Sequence, residues 1–369
     1  RNQAIMRVLH VDLDYVYDPD PAQTERNLDA LVQRVYDLRV NTVFLQAFAN
    51  PEGDGLARAL YFPNRHLPIR ADLFNRVAWQ LHSRAHVDEV YAWMPVLALD
   101  LAPDLPRVLQ LNPDDLLADP QIATGQYRRL SPFDARVRKL VGEIYEDLAR
   151  HAFFDGLLFH DDALLGDWED ASAPALAVYR AAGFGDGAGT IADLQVSPAR
   201  WHAWSRFKTT ALIDFTHELT QKVRAIRGPH IRTARNIYAR PILEPESETW
   251  FAQNLDDFLA AYDWVAPMAM PRMENVPLRD ELVWLDKLVD AVAARPGALA
   301  KTVFELQAQD WREPPEKKHI DGLTLAAWMQ RLQLRGVRNF GYYPDDFAAD
   351  RPRLQHIRPA ISTAWHPFD

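Results

Sequence analysis

The sequence predicts an α/β protein built as one (β/α)8 TIM-like barrel, with long loops at the C-terminal face of its strands. Three observations lead there. Eight short runs rich in β-branched and aromatic residues recur along the chain, they alternate with amphipathic helical stretches, and no G-x-G-x-x-G follows the first run. Such alternation implies a parallel sheet, and eight units without a break suggest closure. An open doubly wound sheet is the rival architecture, and it would want the missing glycine motif. The 369 residues suit one barrel with insertions, and no long Gly/Ser linker or shift of composition divides them. Residues 1–369 therefore read as a single domain.

The strand runs, in order, are Arg7–Leu13, Asn41–Phe48, Glu89–Leu97, Phe154–Asp161, His230–Ile237, Tyr262–Met270, Lys301–Gln307 and Val337–Tyr343. Helical patterns between them include Thr24–Leu38, Val137–His151, Trp201–Ile226, Leu278–Ala294 and Leu323–Leu334. Two stretches exceed a minimal barrel. Ala98–Pro132 is rich in Pro and Asp and reads as a long loop between the third and fourth strands. Gly166–Pro198 holds a short helix, Pro174–Ala182, then the glycine-rich Gly183–Gly189. Both follow strand C-terminal ends, where barrel enzymes build their sites.

Composition narrows the function. Lys and Arg number 41 against 51 Asp and Glu, a formal charge of −10, which argues against a general nucleic-acid binder. An acidic surface instead tolerates or attracts cationic ligands. The chain has no cysteine, so thiol catalysis, Cys-ligated zinc and disulfides are excluded. The N-terminus carries neither Met nor a signal-like segment and reads as cut from something longer. No apolar run approaches 18 residues.

Strand parity assigns faces, because successive side chains alternate. In the first strand Leu9, Val11 and Leu13 share one face and His10, Asp12 and Asp14 the other. In the fourth, Leu157 and Phe159 oppose His160 and Asp162. Gln46 opposes Val43, Leu45 and Ala47, and Glu305 and Gln307 oppose Phe304 and Leu306. Four strands thus aim polar groups at one interior near their C-terminal ends, where a purely structural barrel would place branched apolar residues. Singly, each has a structural reading as a hydrogen-bonded core residue; together they cost desolvation unless something satisfies them.

The densest chemistry lies in Phe159–Asp170, which holds five acids in ten residues directly after an apolar strand. Crowded carboxylates repel, so at least one should keep its proton to higher pH, and glycosidic cleavage uses such an asymmetric pair. Asp162 is expected to project from the strand end and Asp167 to approach from the loop, whereas Asp161 has outward parity unless the strand breaks before it. Glu169 and Asp170 read as a solvated helix N-terminus. A divalent-metal site at His160, Asp161 and Asp162 is an alternative, disfavoured because consecutive strand residues diverge.

Several segments, among them His10–Tyr17, Asn50–Gly55, Phe62–Arg65, Tyr91–Leu97, Leu158–Leu165, Thr233–Ile237, Met268–Pro271, Glu305–Gln309 and Gly341–Asp345, resemble the C-terminal glycoside hydrolase domain of PgaB-type poly-β-1,6-N-acetyl-D-glucosamine N-deacetylases. The likeness runs nearly end to end. It implies a (β/α)8 domain that binds and cleaves, within the chain, partially de-N-acetylated poly-β-1,6-N-acetyl-D-glucosamine in biofilm exopolysaccharide processing and export. It further implies no cofactor for this domain, a covalently linked N-terminal deacetylase domain absent from this chain, an outer-membrane export porin as partner, and a periplasmic setting with a lipid anchor on the full-length protein. By position, Asp167 looks like the catalytic acid, with Asp161 and Asp162 in the same cleft. His10, Asp12, Tyr127, His160, Arg235, Asn236, Glu305, Gln307, Trp311 and Tyr342 fall where substrate would be bound. The rival function is a non-catalytic module that retains deacetylated polysaccharide for export.

Overall fold

The computed structural model describes residues 5–125, 127–185 and 190–363. Eight parallel strands form the sheet: β1 (Arg7–Val11), β2 (Thr42–Gln46), β3 (Glu89–Met94), β4 (Gly156–Phe159), β5 (Arg232–Ile237), β6 (Trp264–Pro267), β7 (Phe304–Gln307) and β8 (Phe340–Tyr343). Hydrogen bonding runs in the order β6-β5-β4-β3-β2-β1-β8-β7. The remaining seam is bridged between β6 and β7 by Val265 with Thr302 and Met268 with Glu305. Across it, Val303 N donates to Val265 O and Ala269 N to Glu305 O, each at 2.8 Å. The barrel expected from the sequence is the barrel found.

Its helical layer comprises α1 (Pro21–Leu38), α2 (Phe74–Ala85), α3 (Ala135–His151), α4 (Pro198–Arg227), α5 (Leu255–Ala261), α6 (Glu281–Ala293), α7 (Gly322–Leu334) and α8 (Leu354–Ile361). Local signals set the ends. Asp20 caps α1 ahead of Pro21, accepting from Ala22 N, and Asp134 caps α3 by accepting from Arg136 N and Val137 N. Each cap extends its helix a turn or less beyond the apolar pattern. Helices α2, α5 and α8 lie outside the patterns read above.

The strands are shorter than their apolar runs, and at β4 this matters. Its run continues to Asp161, but the strand stops at Phe159 and a turn begins. Barrel packing also explains two glycines without invoking flexibility. A Cβ on Gly156 would sit 2.5 Å from the Tyr91 ring, and one on Gly341 would sit 2.2 Å from Val8 O. Beyond the main core, a smaller cluster containing Tyr179, Leu194 and Trp204 packs under the long Gly166–Pro198 insertion. That insertion contains helix Ala173–Ala181, as expected; residues 186–189 of the predicted glycine-rich segment lie outside the described residues.

Candidate active site

A cavity of about 400 Å³ opens at the strand C-terminal ends. His10 from β1, Trp93 from β3, Asn236 from β5, Glu305 from β7 and Tyr343 from β8 reach it, with His160 and Asp161 from the turn after β4. Asn50, Asp54, Tyr127, Met268, Met270, Met273 and Trp311 enter from loops. No Lys or Arg lines it among the described residues. This face and this mixture of apolar walls with a few convergent polar groups are what a barrel ligand site requires.

Two connected networks hold the polar groups. Glu305 Oε2 lies 2.9 Å from His10 Nδ1, and Asn236 Nδ2 donates to Glu305 Oε1 at 3.0 Å. The His10 ring packs at 4.2 Å from Trp93 and 4.8 Å from Tyr343, centroid to centroid. In the second network, Tyr127 OH donates to Asp161 Oδ1 at 2.8 Å and Tyr238 OH to Asp161 Oδ2 at 2.9 Å. His160 Nδ1 stands 3.0 Å from Asp161 Oδ1, a close charge contact without hydrogen-bond alignment. Gly55 fixes the Tyr127 ring from behind: it has φ +78, and any Cβ there would lie 2.3 Å from that ring.

Burial would raise the Asp161 carboxyl, but His160 and the two tyrosine hydroxyls outweigh it and hold Asp161 below the ordinary range. Burial likewise opposes a charge on His160, yet Asp161, Asp162 and Glu305 together push its pKa up. Each partner thus favours the charged form of the other. Asp12 behaves oppositely. Desolvation pushes it up to about 7, against His10, although Tyr343 OH donates to Oδ2 at 3.0 Å. Its Oδ1 is buried without a partner.

The acidic run resolves into different roles. Because β4 ends at Phe159, the following turn reverses the expected parity: Asp161 faces the cavity and Asp162 turns away. Asp162 is 0% exposed and accepts from Val96 N at 3.0 Å, Leu97 N at 2.8 Å and Ala98 N at 2.7 Å, tying the end of β3 to the turn. Asp167 is half-buried and does not line the cavity. Desolvation raises its carboxyl, opposed by the nearby Lys208 charge. Glu169 and Asp170, expected to be solvated, are buried instead. Glu169 pairs with Arg129 at 2.8 Å and accepts from Gly166 N at 3.0 Å. Asp170 accepts from Ser131 OH at 2.7 Å, Leu109 N at 3.1 Å and Ser172 N at 2.8 Å. Lys208 of α4, 0% exposed, donates to Gly166 O at 2.6 Å and Glu169 O at 2.7 Å.

Three other expected contacts lie elsewhere. Arg235 is buried behind the site, donating to Tyr262 OH and Ala163 O at 2.8 Å each. Gln307 accepts from Arg272 N at 2.8 Å and Met273 N at 3.1 Å, so it fixes a loop and does not face the cavity. Tyr342 points outward from β8 to Asp345, at 2.7 Å; its neighbour Tyr343 takes the inward place. Of the remaining sequence candidates, His10, Tyr127, His160, Asn236, Glu305 and Trp311 meet at the cavity, with Asp12 bonded to its wall. Trp93 was legible, since it shares inward parity with Tyr91. Tyr238 and Met273 lie outside the strand runs, whereas Met268 and Met270 close the Tyr262–Met270 run just beyond Pro267, where β6 ends.

Residues 10–343 match the family model described as hypothetical glycosyl hydrolase family 13. The chain belongs to that family. Over 361 residues it is 54% identical to the poly-β-1,6-N-acetyl-D-glucosamine N-deacetylase of Escherichia coli (strain K12), covering 98% of this chain and 53% of that protein. The chain thus spans about half the length of the curated relatives it matches. The PgaB (BpsB) glycoside hydrolase domain from Bordetella bronchiseptica superposes with a TM-score of 0.89 at 47% identity, covering 98% of this chain and 99% of that one. The domain is accordingly a glycoside hydrolase of the PgaB type. Likeness to α-L-fucosidase isoenzyme 2 from Paenibacillus thiaminolyticus (TM-score 0.60, 14% identity, 98% of this chain and 49% of that one) reflects the fold alone.

Proposed function

We propose that this hydrolase cleaves internal linkages of partially de-N-acetylated poly-β-1,6-N-acetyl-D-glucosamine. The observation that carries the reading is the lining of the cavity: Asp54, Asp161 and Glu305 with Trp93, Trp311 and Tyr343, and no Lys or Arg among the described residues. Aromatic faces suit sugar rings, and carboxylates in a partly desolvated cleft favour the ammonium of glucosamine over an anionic polymer. In the reaction the glycosidic C1–O bond breaks. A carboxylic acid gives its proton to the leaving oxygen, the hydroxyl of water ends on C1, and the proton of that water restores the acid. Asp161, held ionised, supports the role of the carboxylate facing the oxocarbenium-like carbon. Asp167, raised by burial and presented on a pinned turn, is the proposed proton donor, which requires the scissile bond to lie at the rim and not on the floor. The polymer would reach the site after a deacetylase has acted, in the periplasm, beside a covalently linked deacetylase domain and an export porin.

The test is incubation with partly deacetylated polymer followed by mass spectrometry of the products. Shortened chains are expected, and Asp167→Asn should stop shortening while retaining oligosaccharide binding. No shortening by the unaltered domain leaves polymer retention as the function. Full activity in Asp167→Asn removes the donor role from that residue.

A further inference from the structure

The acids and aromatics leave one side of the cavity unexplained. Three of the six methionines in the chain, Met268, Met270 and Met273, line it. All three follow β6, which in the closed strand order stands across from β2 and its neighbours β1 and β3. His10 and Trp93 project from those two neighbours, so a flat aromatic wall confronts a contoured thioether wall.

The methionine wall is held in place. Met268 N donates to Ile237 O at 2.9 Å, and Ala269 N donates to the backbone of Glu305, whose side chain faces the same cavity. Gln307 fixes the chain at Met273. Behind the wall, Met268 and Met270 cluster with Leu164 and Tyr238, and the Tyr238 hydroxyl anchors Asp161. Apolar surface is thereby fixed next to an acceptor carboxylate. Flat faces of pyranose rings stack on flat aromatics, which the opposite wall supplies. A thioether surface fits a small projecting apolar group instead.

We infer that Met268, Met270 and Met273 form a specificity wall for the methyl of an N-acetyl group, with the amide N–H of that sugar donating to Asp161. The cavity then reads partial deacetylation from both sides: acetyl groups against the thioethers, free ammonium groups against the remaining acids of the cleft. This rests on the substrate class proposed above and names the group that one of its sugars must carry.

The test has a binding arm and a cleavage arm. In the first, calorimetry compares fully N-acetylated with fully deacetylated β-1,6-linked glucosamine pentamers. The ratio of their affinities should fall by about 10-fold in Met268→Gln and Met270→Gln, the scale for one misplaced apolar group in a pocket. It should hold in Met270→Leu. Met273→Gln, at a half-exposed position, provides the same comparison should the buried variants fail to fold. In the second arm, mass spectrometry reads product ends from a randomly half-acetylated oligomer. The unaltered domain should enrich N-acetyl on one side of the cut, and the Gln variants should lose that enrichment. An unchanged affinity ratio in folded Gln variants overturns the inference. Absence of any cleavage would count against the hydrolytic reading, while the binding arm still decides the wall.

Discussion

The cavity and the Gly166–Asp170 turn are both built from buried acids, but they satisfy them differently. In the cavity, Asp161 and Glu305 are held by side chains from other elements: two tyrosine hydroxyls, a histidine and an asparagine. Each oxygen keeps room for a further donor, and the group remains open to ligand. Around the turn, Asp162, Glu169 and Asp170 accept from backbone amides, a hydroxyl and Arg129, while Lys208 fills two carbonyls from α4. A carboxylate met by backbone amides fixes the chain; one met by side chains can be re-addressed by substrate. The difference teaches that adjacency in sequence is a poor guide to role, since Asp161 and Asp162 fall on opposite sides of it.

The sharpest way to break this comparison is to exchange the two neighbours. Asp161→Asn should lower kcat by about 10²- to 10³-fold, the scale for one preorganised charge at a reaction centre, with little change in urea midpoint. Asp162→Ala should do the reverse, costing about 3 kcal/mol in urea unfolding because three buried amides lose their acceptor, with the surviving folded fraction still binding oligosaccharide. If the two variants behave alike, the division of roles is wrong.

Lys208→Met tests the turn next. It strands two carbonyls but also removes a buried amine, so the net loss should be about 2 kcal/mol in urea unfolding at neutral pH. Burial lowers Lys208 to about 7, whereas an unfolded lysine keeps its proton to roughly 10.4. Between those values the unfolded chain binds the extra proton, so this group makes stability rise with pH, and the variant should lose that rise in thermal melts.

Asp12 gives a pH effect of the opposite sign. Below about pH 4 its carboxyl is protonated in folded and unfolded chains alike. From there to about 7 only the folded chain holds the proton, so the Asp12 contribution to stability declines as pH rises. Asp12→Asn should flatten that decline. A slope unchanged by the substitution would show that the buried Oδ1 is already served by water.

Much of this was legible without coordinates. The eight apolar runs and the inward parity of His10, His160 and Glu305 follow from side-chain alternation, which is a property of the chain itself. Resemblance added Tyr127 and Trp311, which sit on loops that no periodicity describes. Parity failed where the strand had already ended, at Asp161 and Asp162. Position alone also failed at Tyr342, one residue from the tyrosine that faces the cavity.

The sequence by itself therefore determined the barrel, the face on which its polar groups converge and the acidic character of the opening. Only the tertiary structure decided which acid of each adjacent set is exposed to ligand. The reason is geometric: β4 ends two residues before Asp161, and the amides at Val96–Ala98, more than sixty residues away in the chain, capture Asp162 and turn its neighbour inward.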